Sequence, residues 1–190
     1  MTELTNLINS DLFRYTGDTS SKQFLKHILV NPGFRYSFFL RKCNHFQEQK
    51  QFFNTFWVLL LLGLLHHYSI KYSIHIPPKT KIGYGLYLGY GENITITESA
   101  VIGNNVNINH GAVIGITNRG KDKGAPTIGD CVWIGTNALV VGKIRIGNNV
   151  LIAPLSHVNF DVPENAVVAG NPAKIISYKW TDGYVNKKWE

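Results

Sequence analysis

Charge is scarce in this sequence: Asp, Glu, Lys and Arg together make up 16% of 190 residues, against 44% hydrophobic and 12% aromatic. Such a surface cannot be built from ordinary ion-studded helices, which points to turns in quantity. Cysteine is nearly missing. Cys43 and Cys131 stand far apart with neither metal-ligand nor redox spacing, so a disulfide framework and a metal site are excluded and both read as buried thiols. The opening Met-Thr-Glu-Leu-Thr lacks the basic start and apolar core of a secretory signal, and a cytoplasmic location is expected. The apolar run from Phe52 to Leu65 falls short of the ~20 residues that a membrane span needs. It reads first as a buried or oligomer-contact helix and second as a site of peripheral membrane association.

What charge there is sums to +7. The basic residues cluster at Arg119, Lys121 and Lys123 and again at Lys174, Lys179, Lys187 and Lys188, without the interleaved aromatics of single-strand binders. Nucleic acid is therefore not the expected partner; a phosphorylated cofactor suits the same charge.

An aliphatic residue returns at every sixth position: Ile128, Ile134, Val140, Ile146, Ile152 and Val158, and earlier Ile76, Ile82, Leu88 and Ile94, then Ile102, Ile108 and Ile114. The step lengthens to eight between Ile94 and Ile102 and to fourteen between Ile114 and Ile128. A period of six fits neither a helix nor an alternating strand. It fits short strands joined by corners, three to a triangular coil, stacked about 4.8 Å apart in a parallel β-helix. Glycine follows the aliphatic at Gly83, Gly89, Gly103, Gly115, Gly129, Gly135 and Gly147, with Asn104-Asn105 and Asn148-Asn149 directly after Gly103 and Gly147, all read here as residues that accept the positive φ of a corner.

Residues 1–73 lack this period and read as helices over Asp11 to Tyr15, Lys22 to Val30, Arg35 to Gln49 and Gln51 to Ile70, with Asn31-Pro32-Gly33 as a breaker. The expected division is an α-helical region at 1–73, a β-helix at 74–174 and a tail at 175–190. Trp180, Tyr184 and Trp189 make that tail more aromatic than a free one, which suggests packing on a neighbour.

Three segments carry a family likeness: Lys81-Ile82-Gly83-Tyr84-Gly85-Leu86, Ala125-Pro126-Thr127-Ile128-Gly129-Asp130, and the run from Val162-Pro163-Glu164 to Asn171-Pro172-Ala173-Lys174. They resemble the hexapeptide-repeat acetyltransferases: the serine acetyltransferases and, more closely, relatives that O-acetylate bacterial surface and capsular polysaccharides. The resemblance implies a mainly β, left-handed parallel β-helix, a homotrimer with sites between subunits, and acetyl-CoA as co-substrate with no metal. It also shows departures. Gly89-Tyr90 stands where serine acetyltransferases carry an Asp-His pair, and Gly124-Ala125 where they carry Arg-His. Free serine is therefore not expected as the acceptor, and a carbohydrate hydroxyl is.

An alcohol attacks a thioester well only if its proton is taken as it does so, and imidazole suits the task. His110 holds the third position of its hexad, one coil beyond Tyr90, and is the candidate base. Tyr90 is the candidate acceptor contact, and Glu98, at a position where the family often has Glu, the candidate partner of His110. By position, Gly115, Gly135, Thr136, Ala153 and Pro154 would border the co-substrate and Lys174 would meet its phosphates. The alternatives are a nucleotide-sugar N-acetyltransferase and an inactive hexapeptide-repeat scaffold.

Overall fold

In the computed structural model, residues 3–48 and 55–190 are described. Four helices come first: α1 (Glu3–Thr16), α2 (Ser21–Val30), α3 (Pro32–Glu48) and α4 (Thr55–Tyr72). Helix α1 is longer than the sequence reading by more than two turns. Its buried residues include Ser10, Asp11 and Arg14 beside Leu12, so the most deeply buried part of the helix is largely polar. The break between α2 and α3 is a single residue. Asn31 closes α2 and caps α3 through Oδ1, which accepts from the Phe34 amide at 2.9 Å, while Pro32 takes the first helical position, where its missing N–H costs nothing. The expected start of the fourth helix, Gln51 to Asn54, lies outside the described residues. Among those described, no helix is long and apolar enough to cross a membrane.

From Ile74 the chain winds through five coils. Ile74–His75, Ile94–Ile96, Val113–Gly115, Leu139–Val141 and His157–Val158 build the first face. Lys81–Ile82, Val101–Ile102, Thr127–Ile128 and Arg145–Ile146 build the second, which Val162 extends through a bridge to Ile146. Tyr87–Leu88, Asn107–Ile108, Trp133–Ile134, Leu151–Ile152 and Val167–Ala169 build the third, with Lys174–Ser177 added antiparallel at the top. All other pairings are parallel. Inward side chains stack in columns such as Leu88, Ile108, Ile134, Ile152 and Val168, each nearly or wholly buried.

The register corrects one detail of the period. Ile96, and not Ile94, pairs with Ile114, so the two extra residues lie between Leu88 and Ile96, in the corner of Tyr90. The enlarged corner reaches the helices: a side chain on Gly91 would strike the backbone of Pro32 and Gly33. The fourteen-residue step is an extruded hairpin closed by Thr117 and Gly124, whose N–H and C=O groups exchange hydrogen bonds at 3.0 and 2.9 Å.

The tail packs on its own chain. The Trp180 amide donates to the Asn165 carbonyl, Thr181 Oγ1 to the Cys131 carbonyl, and Tyr184 meets Trp133 edge-on. Trp189 and Asn105 exchange two hydrogen bonds, and the Trp189 ring meets Phe13 of α1.

Candidate active site

The edge of the prism between its third and first faces carries most of the expected site residues. Because Leu88 pairs with Ile108, Ile108 with Ile134 and Ile134 with Ile152, the next corner residues stack as Tyr90, His110, Thr136 and Pro154. Tyr90 is 83% exposed at φ 60°. His110 is half-buried, and its carbonyl accepts from the Asn137 amide at 2.9 Å. Both neighbours of His110 are immobilised. Asn109 Nδ2 donates to the Ile134 carbonyl at 2.7 Å while its Oδ1 occupies the space of any side chain on Gly89. Gly111 sits at φ 73°, where a Cβ would overlap Asn137 Oδ1 and lie 2.8 Å from its Cγ. The backbone that carries the imidazole is thus pinned from both sides.

Above His110 the edge is smooth. A Cβ on Gly135 would meet the Pro154 nitrogen at 2.5 Å, so the backbones of successive coils touch there. Thr136 and Ala153 are half-buried, Pro154 and Leu155 exposed, and the edge ends at the Asn171-Pro172 turn with exposed Lys174 beyond it. An uncharged strip ending in a cation fits a long thioester arm with a phosphorylated end.

Two expected members lie elsewhere. Glu98 is exposed on the corner between the first and second faces, in a shallow hollow with Lys79 and Lys81. Gly115 ends its first-face strand, at the opposite end from His110's corner. The hairpin with Arg119, Lys121 and Lys123 grows from that same corner. Within one chain, Glu98 and the hairpin cations are therefore on a different edge from His110.

The structure also assembles groups that sequence patterns did not single out. A cavity of about 450 Å³ between α1, the third face and the tail is lined by Arg14, Tyr87, Tyr90, Asn109, Trp133 and Tyr184, among others. Its signal in the sequence was the aromatic tail, which packs on its own chain here. A second cavity, of about 350 Å³, collects His66, Ser69 and His75 beneath α4. Ser69 Oγ donates to the Ile74 carbonyl at 2.5 Å and lies 3.1 Å from His75 Nδ1. Among the described residues, no three metal-ligating side chains converge.

No family model matches the chain. It is 30% identical over 160 residues to serine acetyltransferase from Helicobacter pylori, covering 84% of this chain and 90% of that relative. Serine acetyltransferase 4 of Arabidopsis thaliana is 40% identical over 120 residues, 63% of this chain and 34% of the relative. The chain spans about a third of the length of such plant relatives. Among solved structures, Neisseria gonorrhoeae serine acetyltransferase matches with a TM-score of 0.76 at 31% identity, covering 93% of this chain and 66% of that one. A serine acetyltransferase in complex with CoA matches with a TM-score of 0.71 at 28% identity, over 90% of this chain and 68% of that one. These neighbours are left-handed β-helices, and this fold is the same.

They also overturn the acceptor read from the sequence. The relatives and solved structures compared are serine acetyltransferases by name, so the closer likeness to capsular enzymes, and with it the carbohydrate acceptor, does not hold. Fold, length of match and solved neighbours agree, and the chain belongs to the serine acetyltransferase family.

Proposed function

We propose that the chain is an acetyl-CoA-dependent O-acetyltransferase that acetylates serine or an alcohol of its class, with His110 taking the hydroxyl proton. The observation that carries the reading is the single edge on which an imidazole on a pinned backbone is followed by a smooth backbone strip and then Lys174. The acceptor oxygen attacks the thioester carbonyl carbon as its proton passes to His110. The carbon–sulfur bond then breaks, and the proton leaves on the CoA thiolate. No covalent enzyme intermediate is needed.

Serine is the acceptor of the relatives, and this counts against excluding it on the ground of Gly89, Tyr90, Gly124 and Ala125. Those departures mean that the grip on the acceptor is made by other residues. A homotrimer belongs to the same proposal, because Glu98 and the hairpin cations would reach His110 only across a subunit boundary, and closed cyclic symmetry is the usual solution.

The test is thiol release from acetyl-CoA by the purified protein with and without L-serine, with mass analysis of the product. Serine-dependent release with O-acetylserine formed is the expected result. Release that ignores every alcohol offered would overturn the proposal.

A further inference from the structure

Two of the helices turn apolar residues outward. Along α4, Leu65 and Tyr72 are buried and Tyr68 stacks on Phe39 of α3, while Phe56, Trp57, Leu59, Leu60 and Ile70 are each 43% exposed or more. Helix α2 packs Phe24 edge-on against Phe34 and Phe38 of α3. Its other side runs Lys22, Leu25, Lys26, Leu29 and Val30, the spacing of one helical face, and all five are exposed.

These outer faces end together. The Arg35 guanidinium donates to the Ile28 and Leu29 carbonyls in the last turn of α2 and to the Tyr72 hydroxyl at the end of α4. Leu29 and Val30 therefore stand at the same end of the helical layer as Ile70. Exposed apolar surface shared by neighbouring elements marks a contact with something else.

Charge says what that is. Lys22, Lys26 and Lys71 are exposed on the same two helices, and among the described residues of α2, α3 and α4 the one acid is Glu48, at the end of α3. Asp18, ahead of α2, is engaged with Ser20. A second copy of the chain on this surface would set like charges against each other, and lysine is depleted where proteins meet. An anionic bilayer suits both components: leucine and valine enter the acyl boundary while lysine stems reach back to the headgroups. Tryptophan, here Trp57, favours that same depth. We infer that the outer faces of α2 and α4 dock the protein on an anionic lipid surface. Neither helix is long and apolar enough to cross it, so both lie in the interface. The inference does not depend on the acetyl-transfer reading.

Flotation of the whole protein with two kinds of vesicle tests it, one of phosphatidylcholine alone and one of about three parts phosphatidylcholine to one of phosphatidylglycerol. Partition onto the anionic vesicles should be about 10-fold or more the stronger, and should weaken with added salt. Leu25→Ser, Leu29→Ser and Leu60→Ser together should lower it by about 10-fold or more; all three side chains are exposed, and an unchanged melting temperature checks the fold. Lys22→Glu with Lys26→Glu should remove most of the preference for anionic lipid. Absence of binding to the anionic vesicles would overturn the inference, as would equal partition onto both kinds or binding unchanged in the folded triple-serine variant. If the wild type ignored vesicles and light scattering showed a larger assembly that the serine variant loses, a second copy would be the occupant and the lipid surface would be excluded.

Discussion

At Gly103 a side chain is excluded by the coil above it and not by the backbone. Its φ lies outside the left-handed region, but a Cβ there would overlap Asp130 Oδ1 and lie 2.7 Å from the Gly129 carbonyl carbon. The positive φ falls two residues later, at Gly85, Asn105, Cys131 and Asn149 in successive coils. Between these two positions runs a ladder in which Asn104 Oδ1 accepts from the Tyr84 amide, Asp130 Oδ1 from Asn104 and Asn148 Oδ1 from Asp130, at 2.9, 2.6 and 2.8 Å. The glycine pattern was legible in the sequence as a corner, but its cause was not: the side chain that excludes a Cβ comes from the next coil, Asp130 at Gly103 and Asn148 at Gly129. Gly103→Ala should destabilise the protein by about 1–3 kcal/mol through overpacking, measurable as a lower urea midpoint. For His110, His110→Asn keeps a hydrogen-bonding side chain but cannot take a proton at neutral pH, and turnover should fall about 10²-fold with CoA affinity intact. Wild-type turnover in that variant would make His110 structural.

The first coil presents an open strand edge, a surface that invites pairing with other chains, and the helices close it with side chains. Ser10 accepts from the Gly85 amide, Asp11 from Leu86 and the Tyr15 phenol from Leu88; Tyr36 accepts from Ile76, and Arg41 donates to the carbonyls of Ile82 and Gly83. Polar contacts of this kind reach residues far along the chain and leave no local pattern in the sequence, whereas the Asn31-Pro32 stop of α2 does. Asp11→Ala strands Arg41 as a buried charge and should cost about 3–5 kcal/mol in chemical denaturation. The closure also predicts alkaline sensitivity. Burial pushes the Tyr36 phenol up to about 12, against about 10 in an unfolded chain. Below pH ~10 both states keep the proton; between ~10 and ~12 the unfolded chain releases it and the folded one does not. Stability should therefore fall with rising pH there by about 1.4 kcal/mol per unit from this group. The Cys43 thiol, raised by burial to about 11, adds a loss that begins lower. Denaturation midpoints from pH 8 to 12 would reveal the slope, and a flat profile would contradict it.

For the molecule as a whole, the six-residue spacing was enough to name the architecture, because one inward side chain per strand is what a stacked coil requires. The cleft beside the third face was not legible in this way: Arg14, Tyr87, Trp133 and Tyr184 come from α1, two coils of the third face and the tail, and no spacing links them. The tail that completes this cleft has a further consequence. Stacked-repeat proteins hold each unit only to its neighbours, so they fray from a free end and melt in stages. Here the tail leaves the top of the stack, descends past Asn165, Trp133 and Asn105, and finishes against Phe13. The last coil is thereby laced to the first helix, and neither end can open alone. Heat should dissolve the described fold in one calorimetric transition, its van't Hoff and calorimetric enthalpies equal. Removal of residues 179–190 should split that transition into steps, turning a molecule that melts as one unit into one that unzips from the top.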